Sequence, residues 1–190
     1  VEDITILRGL PTMKIFNISD NPMAEMAVEW SYQYKGPSYI RLDRVIQPDI
    51  HKDMLDYREG LSILRTLKDI NVISTGNMIN SGLIICDELH KEGIEAGLIE
   101  AFTFPIDPES LIKAIENSKV LITLEEHSLA GGLGSNVCEI VMDANVNVRV
   151  KRFGFDLSKG YSYKYGGREI IHKEYGMDIE SVVNAVKELR

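Results

Sequence analysis

The run KVLITLE at residues 119–125 carries apolar side chains with no polar alternation between Val120 and Leu124. A strand of that kind has no face to give to water, and it fits where helices cover a sheet on both sides, as in parallel α/β sheets. The rest of the chain agrees. Strand-like segments at 12–19, 36–44, 61–67, 70–76, 94–106 and 146–153 are interspersed with segments of helical period. Alternating strands and helices predict an α/β fold, a three-layer, doubly wound, mostly parallel sheet.

Punctuation residues sharpen the boundaries. Asp20 or Asn21 caps a helix that has Pro22 in its first turn, and Asp107 caps another with Pro108 at its first position. Residues 77–92 form an amphipathic helix with Ile85, Cys86 and Leu89 on one face. A helix is expected at 134–144, then two short helices, with Gly176 ending the first and Asp178 capping the second. Residues 45–59, VIQPDIHKDMLDYRE, have no clear period, contain a proline and are rich in charge, and they read as a linker crossing a domain boundary.

Composition excludes several functions. A chain of 190 residues, 44% hydrophobic and 26% charged, buries a real core and lies between one domain and two. No run approaches the roughly 18 apolar residues of a membrane span, and no signal peptide is recognisable. The net charge of -8 repels nucleic acid, and the one basic stretch, VRVKRF at 148–153, alternates like a half-buried strand. Cys86 and Cys138 fall in apolar helical pattern as small hydrophobes, so a reducing, cytoplasmic location is the expectation. The start at Val1 is read as a cut from something longer.

Four groups of residues invite a chemical reading. AGGLGS, residues 130–135, follows the buried run and supplies the bare backbone amides of a phosphate cradle. It lacks the third glycine of the dinucleotide pattern, and a sharp strand-to-helix turn explains it better. Glu125, Glu126 and His127 are consecutive, so on a strand only Glu125 and His127 share a face; a capping or interface role fits better than acid/base chemistry. Cys86 and His90 have the spacing of two zinc ligands on a helix but no second pair accompanies them. Tyr161, Tyr163 and Tyr165 interleave with Lys164 and Arg168 in what reads as a surface or interface segment.

Taken in order, VEDITILRGLP, GPSYIRLDR, VISTGNM, GIEAGLIEAFTFPID, VLITLEEHSLAGGLGS and GGREIIHKEYGMD resemble the C-terminal part of the transketolase family over nearly the whole chain. The resemblance implies that residues 1–44 end a pyrimidine-binding domain in its last βαβ part, that 45–59 link, and that 60–190 form the transketolase C-terminal domain. It implies two-carbon ketol transfer between sugar phosphates, with thiamine diphosphate as electron sink. It places the cofactor, its magnesium and the catalytic residues in segments this chain does not contain, on the same polypeptide or a separate one. The fragment alone is therefore expected to bind no cofactor or metal and to be inactive, and the complete enzyme to be a homodimer.

The resemblance assigns one site residue here: Arg44 matches the position that binds the substrate's terminal phosphate, a task suited to a permanently charged, bidentate donor. Asp43 is expected to pair with Arg41 by strand alternation, and the glycine turn to be structural. The alternatives are a noncatalytic assembly or regulatory module, or the equivalent part of a deoxyxylulose-phosphate synthase or a 2-oxo acid dehydrogenase beta subunit.

Overall fold

The computed structural model of the chain describes residues 1–189. The larger sheet orders its strands as β3 (Leu61–Arg65), β5 (Ala96–Ala101), β4 (Ile70–Ser74), β7 (Val120–Ser128) and β8 (Arg149–Phe155). All neighbours run parallel except β3, which is antiparallel to β5. The apolar run lies in β7, between β4 and β8. Alternation sends Ile122 and Leu124 into one core with α3 (Met78–Lys91) and α7 (Ile179–Leu189). Leu121 goes into the opposite core with α4 (Pro108–Ile115) and α5 (Leu133–Asp143). Each Leu or Ile buried this way contributes about 1.5–3 kcal/mol, which is why a run without alternation demands a layer on each side.

The second sheet has three strands in the order β2 (Ser38–Arg41), β1 (Lys14–Asn17), β6 (Thr103–Phe104). Here β1 and β2 are parallel and joined through α2 (Asn21–Gln33), whose start is the expected one: Asp20 accepts a hydrogen bond from the Met23 amide, with proline in the first turn. Met23, Met26, Ala27 and Trp30 of α2 pack on Phe16 and Phe102, with Trp30 stacked on Phe102 at 5.2 Å between ring centroids.

β6 ties the two sheets together. After β5 ends at Ala101, the chain steps across so that Thr103 and Phe104 pair antiparallel with Phe16 and Ile15 of β1. The segment that reads as one strand region at 94–106 is thus divided between two sheets. The short helix α1 (Asp3–Arg8) makes a second tie, since Ile4 is buried in the same core as Leu133 and Val137 of α5. Residues 45–59 form no regular element, yet His51 and Tyr57 are buried, so the segment expected to be a linker runs through packed protein for part of its length.

The boundaries of β7 and β8 differ from expectation. β8 begins at Arg149, because the amide of Val146 donates to Val141 and keeps residues 146–148 in the turn that closes α5. β7 continues past the apolar run to Ser128, which brings Glu125, Glu126 and His127 onto the strand. At the sheet edge, Arg149, Lys151 and Arg152 are exposed on β8, and such cationic edges discourage pairing with other chains.

Candidate functional site

From β4 the chain moves to β5 on one side, while β7 lies on the other, so the carboxyl ends of β4 and β7 flank the crevice where ligands bind in doubly wound sheets. Two helices start there: α3 after Thr75, Gly76 and Asn77, and α5 after the glycine turn. Positive N-termini attract anions. The protein supplies its own.

Glu125 and Glu126 leave β7 on opposite faces, as alternation requires. The Glu125 carboxylate, fully buried, accepts hydrogen bonds from the amides of Leu133 at 2.6 Å and Gly134 at 2.8 Å in the first turn of α5. Gly132 makes room for it: a Cβ there would stand 2.0 Å from Glu125 Oε2 and 2.7 Å from the carbonyl oxygen of Ser128. His127, on the same face as Glu125, is buried with Nδ1 at 3.7 Å from Oε2. From outside, Thr5 donates to the carbonyl of Ala130, and Arg8 donates to that of Gly132 and pairs with Glu139. The phosphate cradle is therefore a structural turn whose anion is a glutamate.

Glu126 enters the opposite side of the crevice. It accepts from Asn77 Nδ2 at 2.6 Å and Arg168 Nε at 2.6 Å, and lies 2.9 Å from His172 Nε2. Burial opposes its ionisation, but the bonds from His172, Asn77 and Arg168 prevail and hold the carboxyl at about 2. Arg168 and His172 come from α6 (Arg168–Glu174). Together with Asn77 and Asp178, and with the apolar Met78, Met177 and Ile179, they line a mixed polar and apolar cavity of about 380 Å³.

A second nitrogen of Arg168, Nη2, meets Asp43 Oδ2 at 2.6 Å. This overturns the expected Asp43–Arg41 pair. Arg41 instead binds Asp3, Nε to Oδ2 at 2.9 Å, and reaches Asn17. β2 ends at Arg41, so alternation no longer governs Asp43, and α1 delivers a carboxylate to Arg41 that sequence spacing does not reveal. Arg44, the residue singled out from the sequence, is exposed, and among the described residues no carboxylate pairs with it.

The remaining candidates disperse. Cys86 is buried, its thiol pushed up to about 11 by burial, while His90 pairs on the surface with Glu95. Tyr163 and Tyr165 are fully exposed. The two residues four apart on α3 do not converge, and among the described residues no three His, Cys, Asp or Glu side chains form a metal-binding group. A diphosphate with magnesium does not fit the glycine turn, because Glu125 fills it.

Sequence reasoning missed His51. Its Nδ1 lies 2.9 Å from Asp20 Oδ2, an oxygen that also accepts the amides of Ile50 and His51. Its Nε2 stands 2.8 Å from Glu100 Oε2, close enough for an ion pair though outside hydrogen-bond alignment. Burial opposes the charged imidazole, but Glu100 and Asp20 together raise it to about 9. The one signal was Asp20, legible as a cap but not as the clasp of a linker.

A family model described as "Transketolase, C-terminal domain" matches residues 60–182. One of the subunits of the apulose-4-phosphate transketolase of Actinobacillus succinogenes is 31% identical over 186 residues, covering 97% of this chain and 59% of its own length. The 1-deoxy-D-xylulose-5-phosphate synthase of Clostridium tetani is 30% identical over 191 residues, covering 100% of this chain and 30% of its own. Among solved structures, a split gene transketolase described as an inactive beta4 tetramer superposes with a TM-score of 0.88 at 29% identity, covering 99% of this chain and 61% of that one. The chain thus spans about three fifths or less of the length of these relatives.

Proposed function

Because the chain belongs to the family of transketolase C-terminal domains, we propose that it is the C-terminal section of a thiamine-diphosphate-dependent transferase that moves a two-carbon ketol unit between sugar phosphates. In this reading residues 1–44 complete a pyrimidine-binding domain, 45–59 link, and 60–190 are the C-terminal domain. The diphosphate-binding section, on the same polypeptide or a neighbouring one, holds thiamine diphosphate and magnesium, and the cofactor supplies the electron sink. A homodimer in the cytoplasm is the expected setting. Among the described residues no helix is long and apolar enough to cross a membrane.

The observation that carries the proposal is the state of Arg44. Arg41 and Arg168 are committed to carboxylates, whereas the Arg44 guanidinium is exposed and has no carboxylate partner among the described residues. A free guanidinium offers two parallel donors to a phosphate dianion at little desolvation cost. In the complete enzyme, Arg44→Ala is expected to raise KM for a phosphorylated aldose acceptor by about 10- to 100-fold, the loss of one or two charge-assisted hydrogen bonds. Steady-state kinetics with a phosphorylated acceptor and its unphosphorylated analogue tests this; an unchanged KM for the phosphorylated sugar removes Arg44 from the site.

The Clostridium tetani similarity favours a second reading, the equivalent part of a 1-deoxy-D-xylulose-5-phosphate synthase. The two differ in product, so identifying the sugar phosphate formed by the complete enzyme separates them.

A further inference from the structure

An aspartate beside a phosphate-binding arginine is a poor arrangement, since a free carboxylate on the neighbouring residue competes with the substrate for the guanidinium. In this chain Asp43 immediately precedes Arg44. Both of its oxygens are occupied elsewhere. Oδ1 accepts the amide of Val45 at 2.8 Å, an Asx turn with Arg44 at its apex. Oδ2 accepts from Arg168 Nη2 at 2.6 Å.

Arg168 is itself anchored. Its Nε donates to Glu126 Oε1 at 2.6 Å, and Glu126 stands on β7 with Asn77 and His172 as further partners. A guanidinium forks between two carboxylates with nitrogens held in one plane; an ammonium at that position has no such fixed geometry. The contacts therefore run without a break from the interior strand of the larger sheet, through Glu126 and Arg168, to the turn that presents Arg44.

We propose that Arg168 is a positioning residue for the phosphate site: it fixes the Asp43–Val45 turn and withholds the Asp43 charge, so that Arg44 is presented unpaired to the substrate's phosphate. The assignment rests on the reading of Arg44 given above. It gives the C-terminal domain a part in substrate recognition although none of its side chains need touch the sugar. Removal of Arg168 frees Asp43 to turn toward Arg44 and loosens the turn at once.

The test is made in the complete enzyme by measuring kcat and KM for a phosphorylated aldose acceptor and for its unphosphorylated analogue. Arg168→Ala is expected to lower the preference for the phosphorylated acceptor about tenfold through KM, with kcat within about twofold of wild type if chemistry is untouched. Asp43→Asn, which keeps the turn acceptor but removes the charge, is expected to restore part of the preference when added to Arg168→Ala. The double variant Arg44→Ala/Arg168→Ala should show no lower preference than Arg44→Ala alone, because Arg168 acts through Arg44.

If Arg44→Ala lowers the preference and Arg168→Ala does not, the positioning role is overturned while the phosphate site stands. If Arg44→Ala itself leaves the preference unchanged, both fall. If Arg168→Ala depresses turnover of both acceptors equally, with a matching loss of thermal stability, its role is structural and the proposal is wrong. Arg168→Lys, which keeps charge and bulk, gives the same comparison should the alanine variant not fold.

Discussion

Glu125→Ala is expected to lower the unfolding free energy by about 3–5 kcal/mol, since two buried amides lose a charged acceptor and the start of α5 loses its anion. No other partner for those amides is at hand, because the glycine turn closes around the carboxylate and α1 seals it from outside. Glu125→Gln keeps an acceptor but not the charge and should fall about halfway. Gly132→Ala attacks the same contact from the other side. Its backbone has an ordinary φ of -79°, so the expected loss is steric, from a methyl placed on the carboxylate. Urea denaturation of the single variants and of Glu125→Ala/Gly132→Ala should show strong non-additivity, the second substitution having little left to break. A loss below about 1 kcal/mol for Glu125→Ala would mean that water replaces the carboxylate, and the turn would again be open to a phosphate.

His51→Ala is the second large effect. Asp20 and Glu100 have no side-chain exposure at all; without the imidazolium Asp20 keeps only its backbone amide donors while Glu100 loses its ion-pair partner, and removing one partner of a buried pair costs about 3–5 kcal/mol. The pH dependence has a definite sign. The folded-state pKa of about 9 lies above the ordinary value of 6.5, so the protonated form is the one that folding favours. Its contribution is complete below about 6.5 and drains away as pH rises through about 9. Thermal unfolding followed from pH 6 to pH 10 should therefore show the wild type losing an advantage over His51→Ala across that interval. Parallel curves for the two proteins would show that His51 is not held protonated.

Several contacts join the two sheets. His51 fastens the 45–59 segment between Asp20, at the start of α2, and Glu100, near the end of β5. β6 leaves the larger sheet to pair with β1, and α1 docks on the glycine turn. The turn at Asp43 is tied in the same way to α6 and β7, through Arg168 and Glu126.

What the sequence disclosed, and what it hid, follows from the range of each signal. Caps at Asp20 and Asp107 were legible because the acceptor and the amide it serves are three residues apart. The two-faced burial of β7 was legible from composition alone, and so was the division of Glu125 from Glu126, which depends only on strand alternation. The partners of those glutamates were not, since Gly134, Asn77 and Arg168 reach them through the fold. The Asp43 expectation failed for the same reason: alternation stops at Arg41, and the residue that claims Asp43 is 125 positions away. β6 was hidden because a two-residue strand has no period, and His51 because a buried histidine in a charged, proline-containing segment reads as a surface linker. The family resemblance carried Arg44, and no local pattern would have selected it.

Two-carbon transfer from a ketose phosphate to an aldose phosphate, assayed with thiamine diphosphate and magnesium, tests most directly whether the chain is the substrate-binding tail of a larger enzyme. Transfer is expected when the chain is joined to the section that carries the diphosphate-binding domain and the rest of the pyrimidine-binding domain, and not when the chain is supplied alone. Transfer by the chain alone, or none from the complete assembly with cofactor and metal present, would contradict it.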